Sequence, residues 1–309
     1  NATTTWYADT DGDGHGDPDA IVVTCDPPLG HVANGADCDD TNAAINPNAS
    51  PVCDGIDNNC DGQVDAGCQL PVSVRVFLAG PYDSTTGLMS DDLRALGMIP
   101  TIEPYTALGY SHTGSGGETM VPSVLAVTGH DAIVDWVLLE LRSPEDPTMV
   151  LSSRCALVQR DGYVVDVDGV SPVGFEAPAA SYLLAVRHRN HLGCMTNIAL
   201  PVGPSGVHMD LTTNTTQLFG TYGQQQLAGT FPVQALWAGD VNGDGTLMYT
   251  GQDNDRDLLL VAIGGVVATN TIMGYRPEDV NLDGVVRYTG QGNDRDPILN
   301  VVGGSIPTA

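Results

Sequence analysis

The first 70 residues constrain the fold most, because they carry 13 Asp and five Cys but few large apolar residues. They contain no Glu, Lys or Arg. Such a segment repels itself unless cations lie among the carboxylates, since like charges a few ångströms apart raise the free energy even in water. It also cannot bury enough apolar surface to form an ordinary core. Two structures remain open to it, a disordered acidic tail or a small module held by metal ions and disulfides.

The cysteines favour the stapled module. Five of the seven cysteines of the chain fall in this region, namely Cys25, Cys38, Cys53, Cys60 and Cys68. Cysteine-dense small modules are typical of oxidising compartments, so we expect a secreted protein that is extracellular or on the cell surface. Loop size favours the pairs Cys25–Cys38 and Cys53–Cys60, which leaves Cys68 free.

The charge of the whole chain excludes two classes of partner. The 309 residues contain 38 Asp and Glu against 11 Arg and no Lys, for a formal net charge of −27. Nucleic acids and anionic membrane surfaces both need a basic protein surface. No apolar run approaches the roughly 18 residues of a membrane span. We therefore expect no nucleic-acid partner and no direct membrane insertion.

Three acidic stretches of the N-terminal region place oxygen donors at alternating positions, as calcium loops do. They read DTDGDGHGD, ADCDDTN and DNNCDGQVD. Such a density of hard oxygen donors favours Ca²⁺ over zinc or copper. The predicted ligands are Asp9, Asp11, Asp13, the carbonyl of His15, Asp17, Asp37, Asp39, Asp40, Asn42, Asp57, Asn59, Asp61, the carbonyl of Gln63, and Asp65.

These stretches carry a resemblance to known repeats. WYADTDGDGHGDPD, DCDDTNAAINPNA and CDGIDNNCDGQVDAGC resemble the MopE-type metal-binding repeats of secreted bacterial proteins. They also look like thrombospondin type 3 repeats, in which Asp-rich loops wrap calcium around a nearly coreless chain. The resemblance spans about Trp6 to Cys68 and implies a calcium-laden extracellular spacer or interaction module. A copper-binding relative exists among MopE-type proteins, but the oxygen donors here favour calcium.

A second acidic region is duplicated. DVNGDGTLMYTGQDNDRDLLL begins at Asp240, and DVNLDGVVRYTGQGNDRDPIL begins 39 residues later, at Asp279. A strict period of this kind indicates a tandem repeat. Each copy opens as Asp-x-Asn-x-Asp-Gly, the first half of an EF-hand calcium loop, whose seventh position offers a backbone carbonyl. A solvated turn would explain one copy, whereas two copies in register favour a metal loop.

Both copies depart from the EF-hand at position 12, where each has Gly instead of a carboxylate. Two further shared Asp precede LLLVAIGG and PILNVVGG, which we predict to be short helices ended by glycine. We expect an enlarged loop that one or both of these Asp close. The predicted ligands are Asp240, Asn242, Asp244, Thr246, Asp255 and Asp257 in the first copy, and Asp279, Asn281, Asp283, Val285, Asp294 and Asp296 in the second.

The repeats resemble dockerin type I and related EF-hand-like modules in DVNGDG and DVNLDG, though the departure at position 12 means that cohesin binding is not implied. Together with the preceding region, including GPYDSTTGLMSDDLRALGMIP and AVRHRNHLG, they look like the terminal portion of large Bacteroidota cell-surface proteins. That resemblance implies a β-domain followed by calcium repeats.

The middle of the chain reads as β-structure. PVSVRVFLAG alternates apolar and polar residues, and further strands are predicted at SVLAVTG, AIVDWVLLELRS, SRCALVQRDGYVVDVDG and ASYLLAVRHRN. One short helix is predicted at SDDLRALGM, capped by Ser90. The predicted fold is therefore mainly β, an antiparallel β-sandwich flanked by the two calcium-binding regions. The predicted parts are 1–70, 71–205, a connection at 206–233, and 234–309.

Two features of the middle region have competing interpretations. Cys155 and Cys194 are either two buried thiols or, as an extracellular setting favours, a disulfide. His188 and His191 in VRHRNHLG could bind a metal or act in acid–base chemistry, but a strand end whose cations pair with surrounding acid is favoured. No G-x-S-x-G, H-E-x-x-H or phosphate-loop motif occurs, so we predict that the chain is not an enzyme.

The sequence favours a calcium-rigidified extracellular structural protein, a subunit of a bacterial surface filament or matrix that assembles with its own copies. An unpaired cysteine, and donation of the segment NATTTWYA to a neighbouring sheet edge, would serve as joints. The alternatives are an adhesin or carbohydrate-binding module that recognises glycans, and an accessory domain of a secreted hydrolase. Scattered aromatic residues, 6% of the chain, argue modestly against a carbohydrate-binding face.

Overall fold

A computed structural model of the protein describes residues 3–65, 67–220 and 222–303. Within these ranges the chain is mainly β, with mostly antiparallel pairing and few helices, which confirms the predicted class. The chain divides into two compact units. The first comprises residues up to Leu70 with Glu176–Ala180 and Gly203–Ser205, and the second comprises the rest. The predicted first and last parts begin at Asn1 and end at Ala309, residues that lie outside the described ranges.

The described residues of the first unit form one small sheet and many turns. Strand β1 (Thr4–Ala8) lies between β2 (Ile21–Thr24) and β3 (His31–Val32), and both pairings are antiparallel. The segment NATTTWYA, predicted to be donated to a neighbour, includes β1, whose two edges are already paired within its own sheet. Donation of this segment to a neighbouring chain stays a prediction.

Two disulfides staple the first unit, and they differ from the predicted pairs. Cys38 bonds to Cys60 and Cys53 bonds to Cys68, while Cys25 is an exposed free thiol. Loop size misled the prediction, because the turns between residues 37 and 62 fold back on themselves. They bring the amide of Cys38 to 3.2 Å from the sulfur of Cys60, 22 positions later.

The second unit holds the remaining elements. Its strands are β4 (Leu70–Arg75), β5 (Tyr82–Asp83), β6 (Leu88–Met89), β7 (Ile133–Arg142), β8 (Val150–Gln159), β9 (Tyr163–Val165), β10 (Val173–Phe175), β11 (Ala180–Arg187), β12 (Cys194–Met195), β13 (Leu200–Val202), β14 (Val207–Asp210), β15 (Gln225–Leu227), β16 (Val233–Ala235), β17 (Thr271–Met273) and β18 (Val285–Arg287). Its helices are α1 (Asp92–Ala95), a 3₁₀ turn at Pro122–Ala126, α2 (Asp255–Ala262) and α3 (Arg295–Val301).

Nine of these strands form one sheet in the order β10-β4-β9-β8-β7-β11-β12, with β13 paired to β11 and β14 parallel to β4. Strand β7 is buried from Ile133 to Leu141, as expected for a central strand covered on both faces. The core around it includes Val72, Val74 and Trp136. The pairing does not establish a second sheet packed face to face, so the sandwich stays a prediction.

Two local predictions in this unit are wrong. SVLAVTG contributes to the 3₁₀ turn at Pro122–Ala126 rather than to a strand, because Pro122 fixes φ and removes a backbone donor at its start. Helix α1 does form, but its N-cap is Asp91 rather than Ser90, and no side chain caps it.

The predicted disulfide between Cys155 and Cys194 is also wrong, and both thiols are buried and free. Cys155 lies on β8 and Cys194 on β12, with β7 and β11 between them in the sheet. Three strand spacings separate the two residues by about 14 Å, twice the span that a disulfide bridges.

The duplicated region packs around a core of its own. Helices α2 and α3 follow the two acidic loops, which confirms the predicted short helices, and β17 pairs with β18 between them. The shared core consists of Ala238, Val241, Tyr249, Leu259, Val280 and Ile298. Among the described residues, no helix has the length and apolar character needed to cross a membrane.

Candidate metal-binding loops

The first unit brings five carboxylates from two separate stretches together. Carboxylate oxygens of Asp9, Asp11 and Asp13 lie within 4.8 Å of one another, and so do those of Asp11, Asp37 and Asp40. Asp11 belongs to both groups and joins them into one cluster. The stretches DTDGDGHGD and ADCDDTN therefore contribute to the same cluster, although 18 residues separate them in the sequence.

Turn geometry orients three of these carboxylates in the same way. In Asp11, Asp13 and Asp37, Oδ1 accepts the backbone N–H of the residue two positions later, at 3.2, 2.8 and 2.8 Å. The Oδ2 atom of each is buried and has no hydrogen-bond partner. Calcium loops divide their carboxylates in this manner, since one oxygen fixes the turn and the other is left for the ion.

The other two members of the cluster anchor the loops. Asp9 accepts the amides of Gly12 and Gly14 at 2.8 and 3.3 Å, and both glycines have positive φ, which a side chain would strain. Asp40 accepts both the amide and the hydroxyl of Thr10, at 2.9 and 2.7 Å. Asp40 thereby ties the second stretch to the first.

Burial and neighbouring charges act together on Asp37, which is 2% exposed. Burial raises the pKa of its carboxyl, and the charges of Asp13, Asp11 and Asp40 raise it further, although the amide of Asp39 opposes them. A buried carboxylate among others is unfavourable unless it is protonated or a cation balances it. The cluster thus has the oxygen ligands of a cation site, and a bound cation would offset the cost of burying its negative charge.

Asp17 and Asp39 belong to neither carboxylate group, and the His15 carbonyl and Asn42 stay predicted ligands. The side chain of Asp17 accepts the amide of Asp19, and that of Asp39 accepts Thr41. The buried ring of His15 contacts the side-chain amides of Asn34 and Asn48, at 2.7 and 3.0 Å. Asn42 likewise forms a local turn, with its side chain accepting the amide of Ala44.

The third stretch forms a loop with the same internal bonds. Asp57 accepts the amide of Gly62 at 2.8 Å, Asn59 accepts that of Asp61 at 3.4 Å, and Asp61 accepts that of Gln63 at 2.8 Å. Asp65, a predicted ligand of this loop, accepts the amides of Asp54 and Gly55, each at 3.0 Å.

The two C-terminal loops repeat one hydrogen-bond pattern. The first Asp of each copy accepts the amide of the glycine at position 6, at 3.2 Å for Asp240 and 2.9 Å for Asp279. Asn242 and Asn281 each accept the amide two residues later at 3.0 Å. Asp244 and Asp283 accept the amides of Thr246 and Val285, at 2.8 and 2.9 Å.

Asp255 and Asp294, at the starts of α2 and α3, accept hydrogen bonds from the backbone of these loops. Asp255 accepts the amides of Val241 and Met248, each at 2.8 Å, and Asp294 accepts the amides of Val280 and Arg287, at 2.7 and 2.8 Å. Each carboxylate thus bridges both ends of its loop. The side chains of Asp257 and Asp296 bond instead to the neighbouring residues Asn254 and Arg256, and Asn293 and Arg295. Of the two predicted closing residues, the first in each copy faces the loop.

Burial gives these acids raised pKa values. It raises the pKa of Asp240 and of Asp279 to about 6, and that of Asp294 to about 8. Neighbouring acids add to the shift at Asp240, whereas Arg189 opposes it at Asp279. Near neutral pH Asp240 and Asp279 therefore carry negative charge at a cost that a cation would offset, while Asp294 is mostly protonated.

One position distinguishes the two copies. Arg287 of the second copy forms an ion pair with Asp283, whereas the aligned residue of the first copy is Met248. In the first copy, Oδ1 of Asp240 is buried and has no hydrogen-bond partner. The first loop therefore has a carboxylate oxygen free to bind a metal ion, whereas in the second loop the charge of Asp283 is balanced by Arg287.

The basic patch VRHRNHLG serves a structural network. The carboxylate of Asp135 accepts from Arg189 at 2.9 Å and lies 3.2 Å from Nε2 of His188. It also accepts the hydroxyl of Tyr275 at 2.5 Å. The prediction that the cations of this patch pair with acid is confirmed for Arg189. Sequence reasoning missed Asp135, whose one signal was an acid within the apolar run of β7.

The histidines complete this network. The amide of Gly80 donates to Nε2 of His191 at 3.1 Å, so Nδ1 of His191 carries its proton and faces His188 at 3.0 Å and the side-chain oxygen of Asn190 at 2.8 Å. Burial lowers the pKa of both imidazoles, most strongly for His191. Each ring is therefore neutral near neutral pH and held by protein partners.

Residues 37–66 match the MopE-type copper-binding family, which is described as "Putative metal-binding motif". This match confirms the MopE-type resemblance for that stretch, which includes Asp37, Asp40 and the Cys38–Cys60 disulfide. No curated protein and no solved structure matches the chain. The resemblances to thrombospondin type 3, dockerin and Bacteroidota surface proteins stay predictions.

Proposed function

We propose that the chain is an extracellular structural protein whose acidic loops are rigidified by Ca²⁺. One observation carries the proposal: two carboxylate groups share Asp11, and in them Asp11, Asp13 and Asp37 each have one oxygen engaged by backbone and the other buried and unpartnered. Every member of this cluster offers oxygen alone, which suits Ca²⁺ and disfavours copper or zinc. The two disulfides support a location in an oxidising compartment.

A calcium titration of the full chain tests this proposal. Asp11→Asn should weaken binding at the N-terminal cluster strongly, because Asp11 belongs to both carboxylate groups. Asp26→Asn is the matched control, since it removes the same charge from an exposed position of the same unit. Isothermal titration calorimetry would report both. Equal affinities for the wild type and the Asp11 variant would refute a site at this cluster, and tighter binding of Cu²⁺ than of Ca²⁺ would refute the assigned ion.

A filament-forming role is a second candidate, favoured by the exposed edge of the first unit. Strand β2 lies at the end of its sheet, and Ile21, Val22 and Val23 are all exposed on it. Cys25, an exposed free thiol, follows directly. The thiol predicted for this joint, Cys68, is bonded to Cys53, so Cys25 takes its place. An unpaired apolar edge is a template for strand addition by a second copy.

Light scattering in Ca²⁺-containing buffer tests assembly. The chain should associate as its concentration rises, and Val22→Lys should suppress association by placing a charge on the edge strand. Cys25→Ser should leave association intact but remove dimers resistant to denaturant without reducing agent. A monomeric wild type at all concentrations would end the filament proposal and leave the calcium proposal standing.

A further inference from the structure

A second group of possible ligands lies in the other unit and has a different chemistry. One ligand atom each from Glu103, His112 and Cys155 lie within 4.8 Å of one another. Glu103 and Cys155 are buried, and His112 is half-buried. The group combines oxygen, nitrogen and sulfur donors, whereas the acidic loops offer oxygen alone.

The fold brings these residues together from distant parts of the chain. Residues 103–118 form a long loop, and the amide of Glu103 at its start donates to the carbonyl of Glu118 at its end, at 3.0 Å. His112 lies within this loop, and Gly116 packs so closely on the His112 ring that a Cβ at position 116 would lie 3.0 Å from Cγ of His112. Cys155 comes from the middle of β8, and its amide donates to Glu118 at 3.2 Å.

The hydrogen bonds of Glu103 and Thr106 fix the proton on His112. Thr106 donates its hydroxyl proton to Glu103, which also accepts the amides of Thr106 and Gly117 at 3.0 and 3.1 Å. The Thr106 oxygen also lies 3.1 Å from Nε2 of His112, so it accepts a proton from that nitrogen. The Nδ1 atom of His112 is left with a lone pair, and it is buried without a hydrogen-bond partner. Metal-binding histidines are commonly oriented in this way, by a hydrogen bond from the nitrogen that does not bind the ion.

Two further features favour a cation here. Oε2 of Glu118, a residue 8% exposed, has no hydrogen-bond partner although its carboxylate lies beside the thiol. The sulfur of Cys155 and Oε2 of Glu103 are 3.6 Å apart. Tetrahedral zinc, with bonds of about 2.3 Å to sulfur and about 2.1 Å to oxygen, places such a pair of ligands roughly 3.6 Å apart.

We propose that Glu103, His112 and Cys155 form a Zn²⁺ site, with Glu118 beside it as the fourth ligand or the acceptor for a bound water. Zn²⁺ takes sulfur, nitrogen and oxygen donors together, whereas Ca²⁺ binds oxygen. Binding releases the thiol proton to solvent and turns Cys155 into a thiolate ligand. A bound ion would connect the 103–118 loop to strand β8 of the central sheet, independently of the calcium loops.

Cobalt substitution tests the site in the full chain. The protein is prepared in the Cys25→Ser background, to remove the exposed thiol, and kept in millimolar Ca²⁺ so that oxygen sites are occupied. Added Co²⁺ should bind at one equivalent per chain and give a sulfur-to-cobalt charge-transfer band, which Zn²⁺ abolishes by displacement. Cys155→Ser should remove the band, whereas Cys194→Ser, a change at the other buried thiol, should retain it.

His112→Asn provides a second variant at a half-buried position, where loss of folding is not expected. It should weaken Zn²⁺ binding about 10-fold or more, and circular dichroism would confirm that each variant is folded. The site is refuted if the wild type binds Co²⁺ without the sulfur band, or if the band survives Cys155→Ser. Unchanged zinc affinity in a folded His112 variant also overturns it.

Discussion

The two acidic regions use the same turns but are held together differently. In the first unit, carboxylates lie close to one another, and among its described residues the buried apolar side chains are few, namely Ile45, Leu70 and the cystine Cys53–Cys68. In the C-terminal repeats the loops enclose an apolar core, and Asp255 and Asp294 tie both ends of each loop by hydrogen bonds. The same acidic motif therefore lies on a sparse apolar core in one region and around a larger apolar core in the other, and we expect only the first region to depend on ions for its fold.

Chelation should separate the two regions most strongly. Removing Ca²⁺ with EDTA should unfold the first unit, because five clustered carboxylates then repel one another with little core to oppose them. A bound ion stabilises by about 4 kcal/mol when its free concentration is about a thousand times its Kd. Hydrogen exchange should rise throughout residues 3–65 and change little in β7 and β8, with restoration on adding Ca²⁺. Unchanged hydrogen-exchange protection in the first unit after Ca²⁺ removal would show that this unit does not depend on the ion for its fold.

The buried ion pair should matter most in the second unit. Asp135→Asn leaves Arg189 buried without its counter-charge, at a cost of about 3–5 kcal/mol in the free energy of unfolding. The exposed Asp131 supplies the control, since Asp131→Asn removes the same charge nearby. Urea denaturation would measure both. A destabilisation equal to that of the control would show that this network does not hold the repeats to the sheet.

The pH dependence of Asp135 follows from the same contacts. Burial alone would raise its pKa, but Arg189, His188 and Tyr275 outweigh burial and lower the pKa to about 2. The unfolded value is about 3.9, so its contribution of about 2–3 kcal/mol is complete above pH 4 and is lost as the pH falls through about 2. Acid titration of the wild type should show this loss, and the Asp135→Asn variant should lack it.

The disulfides should matter next, and only in the first unit. Replacing Cys38 and Cys60 together with Ala should destabilise that unit by about 2–4 kcal/mol, since the cross-link restricts the unfolded chain. Cys25→Ser, at the free thiol, should have no comparable effect. Because the first 70 residues lack Lys and Arg, an Asp-specific protease is a better probe than trypsin. If the double variant resists cleavage as well as the wild type, the Cys38–Cys60 disulfide does not stabilise the first unit.

The smallest effect should distinguish the two C-terminal loops. Arg287→Met gives the second copy the residue of the first and frees Asp283, so its Ca²⁺ affinity should rise by roughly 2–5-fold, the equivalent of a partly exposed ion pair. Arg295→Met is the matched control, since Arg295 pairs with Asp296 outside the loop. A gain in the control instead would assign loop closure to Asp296.

The sequence predicted the elements that depend on local patterns. Alternation predicted β4, and glycine with preceding apolar residues predicted α2 and α3, because these signals lie within a few residues of one another. The turns of the acidic loops were predictable for the same reason. The merging of Asp11 with Asp37, the disulfide pairs and the position of Cys155 relative to Cys194 depend on contacts between distant segments. Spacing along the chain carries no measure of those distances.

The N-terminal carboxylates need an ion among Asp11, Asp13 and Asp37. A crystal structure of the full chain grown with Ca²⁺, with anomalous scattering data that locate calcium, would show whether one is bound there. We expect a calcium peak bounded by the Oδ2 atoms of these three residues, at about 2.3–2.6 Å from each. Ordered carboxylates at these positions with only water between them would contradict it.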